Sequence, residues 1–392
     1  MNHSVVLKGG RVIDPSQGID GIMDVAFRDG KVVASGVGLS TGAGTEVIDV
    51  AGKIVTPGLI DLHTHVYDRG TSLGVDAMRL FQRGAVTTLV DTGSAGPGNF
   101  PGFRSHVIER IPVRVLAYLN VSFAGIYGFS KRIMVGEASD MRLMAPIDTV
   151  EVANANRDMI IGIKVRVGRN ASGFSGLAPL QIARQVADEL GLPLMVHIDE
   201  PPPMLHEVLA LLRKGDVLTH CFRPFPNCAS TADGKVHDYV LDARRRGVIF
   251  DIGHGMGSFS FQVARTMLAN AFQPDCISSD VHALCIEGPA FDLLTTMSKF
   301  LCLAMPLNDV IRAATEAPAA ALNRPDLGTF RPGAAGDASV LSLESGSFDY
   351  VDSVGERLKG GQRLTASGVV LAGQYQPCTP EIGLGGRPHS LA

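Results

Sequence analysis

The chain has no Cys-x-x-Cys pair, no lysine or arginine run longer than the three residues Arg244-Arg245-Arg246, and no apolar stretch near the ~18 residues that a membrane-spanning helix needs. Each absence removes a class of function. Cys221, Cys228, Cys276, Cys285, Cys302 and Cys378 are scattered, which in 392 residues reads as reduced, packed thiols and not as a disulfide framework. With no basic stripe and a net charge of −4, nucleic acid and anionic membrane are poor partners. The opening Met1-Asn2-His3-Ser4-Val5-Val6-Leu7-Lys8 lacks the basic stretch and long apolar run of a secretory signal, so a cytoplasmic protein is expected. What is present is core-forming material: 45% of residues are hydrophobic and 19% charged.

The texture changes twice along the chain. Residues 5–7, 11–13, 25–27 and 31–34 alternate with Gly9-Gly10, a turn at 15–18 and the Asp29-Gly30 hairpin signal, which predicts short strands. From Ile54 onward, eight apolar runs (59–63, 86–91, 113–121, 159–165, 192–198, 217–221, 248–252 and 276–279) alternate with amphipathic segments. The clearest of those segments carries Ile182, Val186 and Leu190 four apart and stops at Gly191-Leu192-Pro193. Continuous apolar strands alternating with helices mean a parallel sheet covered on both faces, and eight of them predict closure into a barrel. Helical stretches follow at 291–305 and 308–322. Strand-and-turn texture then returns at Gly336-Asp337-Ala338-Ser339-Val340-Leu341 and Gly368-Val369-Val370-Leu371-Ala372. A (β/α)₈ barrel takes about 250 residues, which leaves enough chain for an accessory unit. The expected fold class is therefore α/β: a (β/α)₈ TIM barrel over 55–325 with a small β-sandwich built from both termini, 1–54 and 326–392. The Gly- and Pro-rich tail from Gly373 is expected to be an irregular surface wrap.

The first barrel strand ends in Asp61-Leu62-His63-Thr64-His65, and residues two apart on a strand point to the same side, so His63 and His65 can offer imidazoles to one cation. A lone His-x-His is more often incidental. Other strands, however, also end in ligand-type residues: Lys164 on the fourth, His197 on the fifth, His220 on the sixth and Asp280 on the eighth. Strand C-termini of such a barrel converge on one face, where active sites sit. Any one of these residues could be a satisfied core group; six in register are hard to assign to packing.

Val55-Thr56-Pro57-Gly58-Leu59-Ile60-Asp61-Leu62-His63-Thr64-His65, Gly84-Ala85-Val86-Thr87-Thr88 and Gly336-Asp337-Ala338 resemble the amidohydrolase superfamily, over nearly the whole chain. Val196-His197, Asp216-Val217-Leu218-Thr219-His220-Cys221-Phe222, Phe250-Asp251-Ile252-Gly253-His254-Gly255 and Ile277-Ser278-Ser279-Asp280 resemble its dihydroorotase-related deacetylase branch. That branch includes enzymes that remove acyl groups from amino acids and α-hydroxy acids. The resemblance implies two divalent metal ions. His63, His65 and Asp280 would hold one, His197 and His220 the other, and Lys164, carboxylated by carbon dioxide, would bridge them. For Lys164 alone, a structural ion pair is the other reading. Zinc suits nitrogen-rich sites completed by oxygen, and manganese, iron and cobalt also fit such donors. Paired ions about 3.5–4 Å apart supply hydroxide near neutral pH and polarise a carbonyl. Asp280 would act as general base and then general acid. No serine or cysteine nucleophile is needed, and Cys221 beside His220 reads as packing.

Further candidates rest on position. Arg166, two residues past Lys164, suits a substrate carboxylate by bidentate contact, and a barrel-rim ion pair is the equal alternative. His254 ends the seventh strand, where it would support the carbonyl oxygen or position substrate. Tyr118, Asn120, Arg223 and His282 are expected to line the pocket. His3, His106, His206, His237 and His389 carry no signal, and the 93–98 loop lacks the lysine and spacing of a phosphate-binding loop. The function expected is hydrolysis of an amide or ester in a small acylated carboxylic acid. Cyclic-amide hydrolysis is the alternative, and the complete ligand set argues against a non-catalytic scaffold. A homo-oligomer is in keeping with the resemblance, though no segment identifies an interface.

Overall fold

The computed structural model describes residues 4–378. The expectations attached to His3, His389 and residues 379–392 lie outside that range. Five strands open the chain: β1 (Val5–Asp14), β2 (Ile19–Arg28), β3 (Lys31–Gly36), β4 (Glu46–Asp49) and β5 (Ile54–Pro57). Asp29 and Gly30 both have positive φ, 50° and 71°, and join β2 to β3 as the hairpin signal predicts. Gly9-Gly10, expected to separate one strand from the next, instead lies inside β1 at a shift in its register with β2. A Cβ at Gly10 would stand 2.7 Å from Val55 Cγ2, so the bare backbone there lets β5 pack close.

Seven strands follow: β6 (Leu59–Thr64), β7 (Val86–Thr92), β8 (Arg114–Asn120), β9 (Ile160–Val167), β10 (Leu194–Ile198), β11 (Val217–Leu218) and β12 (Ile249–Phe250). They form one wholly parallel sheet in sequence order, a curled half-barrel. Helices alternate with them, among them Ala178–Leu190, which buries Leu180, Ala183, Val186 and Leu190 and is closed by Gly191 at φ 63°. The eighth run, 276–279, is not a strand. It makes single parallel bridges, Asp251 with Cys276 on one side and Thr64 with Val281 on the other. Its backbone is diverted because the serines bond sideways to carboxylates and Asp280 adopts a positive φ of 47°. β11 also stops short of the expected 217–221, because His220 turns to φ 64°. The expected helical stretches appear as Leu293–Cys302, Leu307–Arg312 and Glu316–Ala321.

The chain closes with β13 (Ala338–Val351), β14 (Arg357–Leu371) and β15 (Gln374–Pro377). Their sheet runs β15-β14-β13-β5-β1-β2-β3 with β4 beside β1, so both ends of the chain share one sheet. The start of the supposed irregular wrap is thus an ordered edge strand, Gly368 pairing with Pro377. No helix among the described residues is long and apolar enough to cross a membrane.

The curl positions the site. On β8 Leu116, Tyr118 and Asn120 share a face; on β9 it is Gly162, Lys164 and Arg166; on β10 it is Met195 and His197. Leu116, Tyr118 and Met195 join Ile60, Leu62, Val90, Val217 and Cys276 in a buried apolar cluster. The polar members of that face stand beyond it, at the C-terminal strand ends.

Candidate active site

His63 near the end of β6 and His65 just past it turn both imidazoles to Asp280: their Nε2 atoms lie 3.3 and 3.1 Å from its Oδ1. The three ligand atoms lie within 4.8 Å of one another, and all three residues are buried. The outer nitrogens are already engaged. His63 Nδ1 is 2.8 Å from Thr219 Oγ1, and that hydroxyl donates at 2.7 Å to Asp251 Oδ2. A hydroxyl that has given its proton away can only accept, so Nδ1 of His63 carries the hydrogen and Nε2 presents a lone pair inward. His65 Nδ1 meets Ser94 Oγ at 2.8 Å. Burial holds His63 well below the ordinary imidazole range and His65 near 3, so both are neutral donors at physiological pH.

His197 and His220 make the adjoining pair. His220 Nδ1 donates to the Gly253 carbonyl at 2.7 Å, which leaves Nε2 bare, 2.7 Å from His197 Nδ1. The His220 ring centroid is 5.1 Å from that of His63 and 4.4 Å from that of His197, so the two histidine pairs form one cluster. Gly253, at φ 47°, has no room for a side chain: a Cβ would sit 2.3 Å from Thr219 Oγ1 and 2.8 Å from His220 Nδ1.

Lys164 is fully buried and its Nζ has no hydrogen-bond partner among the described residues. Burial pulls its amine down to about 7. The ion-pair alternative fails, since no carboxylate among the described residues bonds to it. An orphaned buried amine is costly, and conversion to an anionic carbamate beside cations would satisfy it. Gly93 leaves space for its chain, as a Cβ there would lie 2.7 Å from Lys164 Cγ. Burial raises Asp280 to about 6. Four neutral imidazoles, those of His63 and His220 with their lone pairs turned inward, one carboxylate and one unpartnered amine fit a pair of divalent ions by donor chemistry.

The positional candidates divide. Arg166 is paired on one side, its Nε and Nη2 each donating at 2.9 Å to the two oxygens of buried Glu137. The ion-pair alternative is present on the Nε side of the guanidinium, and its Nη1–Nη2 end is outside that pair. Asn120 faces the same group, with Nδ2 3.3 Å from the Gly93 carbonyl and 3.4 Å from Glu137 Oε1. Tyr118 sits in the apolar cluster beneath, its hydroxyl without a partner among the described residues, instead of lining a pocket. His254 also departs from expectation: it packs on Phe259 and bonds Lys299 and Gly255, away from the ligand cluster. His282 is beside the site, 6.1 Å from the His65 ring and 5.5 Å from that of Phe129. Arg223 bonds the Pro226 carbonyl.

Sequence reasoning missed Thr219, Asp251, Ser94, Glu137 and Phe129. Thr219 and Asp251 stand inside the motifs that carry the resemblance and were readable as neighbours of ligands. Glu137 and Phe129 come from the irregular 122–145 segment, where no periodicity points to the site.

No family model matches the sequence. A deacetylase of Agrobacterium fabrum is 36% identical over 333 residues, 84% of this chain and 81% of its own. Among solved structures, one of an adenine deaminase superposes with a TM-score of 0.89 at 30% identity, covering 96% of this chain and all of the other. One of a dihydroorotase gives 0.87 at 32% identity, covering 96% of this chain and 98% of its own. The chain belongs to the amidohydrolase superfamily, and within it to the hydrolases that join deacetylases to dihydroorotases.

Proposed function

We propose that this chain is a two-metal hydrolase that cleaves the amide or ester bond of a small acylated carboxylic acid, an N-acyl amino acid or an O-acyl α-hydroxy acid. The observation that carries the reading is the convergence of His63, His65 and Asp280 beside His197, His220 and an unpartnered buried lysine. The likeness to a deacetylase over most of both chains supports the choice of bond. His63, His65 and Asp280 would hold one ion, His197 and His220 the other, and carboxylated Lys164 would stand between them. When bound, such ions, zinc being the natural choice for these donors, would supply hydroxide near neutral pH and polarise the carbonyl.

The chain's own residues do the rest. Asp280 would take the nucleophile's proton and return it to the leaving nitrogen or oxygen, base first and acid second. Thr219 and Gly253 hold the rings of His63 and His220 in one tautomer and one orientation. The Glu137 pair uses one hydrogen of Nε and one of Nη2, so Arg166 keeps both hydrogens of Nη1 and the second of Nη2 for a substrate carboxylate. The architecture is read accordingly. Residues 276–281 serve as the eighth stave of a (β/α)₈ barrel spanning 55–325, and the terminal segments build a β-sandwich.

A second reading, cyclic-amide hydrolysis, is favoured by the likeness to a dihydroorotase structure. Zinc-loaded protein assayed with dihydroorotate, a hydantoin, and N-acetyl and O-acetyl acids of both hands separates the two. Turnover of one acetylated hand with the rings untouched is the expected result. Ring opening without deacylation transfers the assignment to cyclic amides.

A further inference from the structure

Two lysines are sealed inside this fold, and the proposed function uses one of them. The other, Lys299, lies on the helix Leu293–Cys302, outside the ligand cluster. An ammonium has three hydrogens, and the structure gives this one three acceptors: His254 Nε2 at 2.7 Å, the Pro289 carbonyl at 2.8 Å and the Val351 carbonyl at 2.8 Å. The nearest carboxylates, Asp292 and Asp352, are engaged elsewhere. Asp292 binds Arg83 at 2.8 Å and caps Thr295 at 2.7 Å, while Asp352 takes the Phe261 amide at 2.9 Å. Lys299 is therefore a buried amine held by dipoles, an expensive arrangement for packing alone.

The path from that amine leads to the site. His254 donates from Nδ1 to the Gly255 carbonyl at 2.9 Å, so its Nε2 is the acceptor, and its ring is stacked on Phe259 at 4.7 Å. The flanking backbone does the contacting. The Gly253 carbonyl receives His220 Nδ1 at 2.7 Å, and the Gly253 amide donates to Ser278 Oγ at 2.9 Å. The Gly255 amide donates to the Ser279 carbonyl at 3.0 Å, and a Cβ on Gly255 would lie 2.3 Å from Asp280 Oδ2. Three residues thus set the ring of one ligand and the space beside another. The other two acceptors of Lys299 lie on the segment after Asp280 and at the end of β13.

We infer that Lys299, acting through His254, is a positioning residue for the metal centre: it clamps residues 253–255, fixes the ring of His220, and ties both to the terminal sheet at Val351. The inference rests on the reading of His220 as a metal ligand. Its test uses zinc affinity, from competition with a chromophoric chelator, and the visible absorption of cobalt-loaded protein, with metal-free thermal melts to establish folding. The variants are Lys299→Met, His254→Leu and His254→Gln. Glutamine keeps an acceptor near the place of Nε2; leucine keeps only bulk. Lys299→Met and His254→Leu should weaken zinc binding by about 10–100-fold and change the cobalt bands, the usual cost of removing a partner that orients a ligand. His254→Gln should stay within a few-fold of the wild type. Unchanged affinity and spectrum in Lys299→Met and His254→Leu overturn the inference, as does a glutamine variant as weak as the leucine one. Should Lys299→Met fail to fold, the two His254 variants decide. Wild-type protein that binds no zinc at all would instead overturn the metal reading itself.

Discussion

At the scale of single residues, the cluster is organised by where each proton is already committed. Thr219 gives its hydrogen to Asp251, so His63 must donate from Nδ1; Gly253 accepts from His220, so that ring too points its lone pair inward. Lys164 is the member with nothing to bond among the described residues, which makes it the most informative to alter. Lys164→Ala should reduce bound metal from about two ions per chain to one or fewer and lower turnover to background, with partial rescue by excess short-chain carboxylic acid. Metal content by atomic absorption alongside turnover checks this, and a variant with both ions and normal rate would show that Lys164 does not bridge. The ligand-type residues were legible because each closes an apolar run, a position that strand geometry sends to one face. The fates of Arg166 and His254 were not legible. Their partners, Glu137 and Lys299, stand 29 and 45 residues away in the sequence, one in an irregular segment and one on a helix that otherwise reads as outer layer.

At the scale of elements, the informative failure is the run 276–279. Its composition is that of a buried strand, and seven others of its kind do form strands. This one is held by side chains instead of a ladder: Ser279 donates from both Oγ and backbone to Asp61, Ser278 Oγ donates to Asp251 at 2.6 Å, and the Asp280 amide donates to the His63 carbonyl at 2.7 Å. Hydrophobicity cannot signal such a swap, because the serines that carry it are small and neutral. The substitution Ser279→Ala leaves a buried Asp61 oxygen without its hydroxyl and should cost about 1–3 kcal/mol in urea unfolding. Because Asp280 follows directly, metal affinity should fall as well; a loss of stability with zinc binding untouched would separate the stave from the site. Gly9-Gly10 teaches the complementary lesson. Read as a break, it is a place where a strand continues because a neighbour needs the room.

At the scale of the molecule, ligands contributed by β6, β9, β10 and the segments after β11 and β12 meet only when the sheet is curled. Metal and fold are therefore linked. Ions that bind the folded state and not the unfolded chain add roughly 4 kcal/mol at a thousandfold excess over Kd. For a chain of this size that corresponds to a melting temperature roughly 5–10 °C higher in zinc-loaded than in chelated protein. Calorimetry of the two forms, scanned at one protein concentration, is the check; coincident melts would mean that the cluster holds no ion worth the name. The α/β class, the parallel order and the joining of both ends of the chain in one β-structure were legible from texture, since strand-rich ends and an alternating middle leave few other arrangements.

The shared sheet also sets an order of events during synthesis. β5 ends at Pro57 and its neighbour β13 begins at Ala338, so about 280 residues must be made between them. At 5–20 residues per second, that interval lasts roughly 15–60 s, through which Ile54, Val55 and Thr56 present an open edge to the surrounding solvent or ribosome surface. Every copy of this enzyme thus passes through a period as a nascent chain whose border awaits a strand not yet translated, and the arrival of β13 is what ends that exposure.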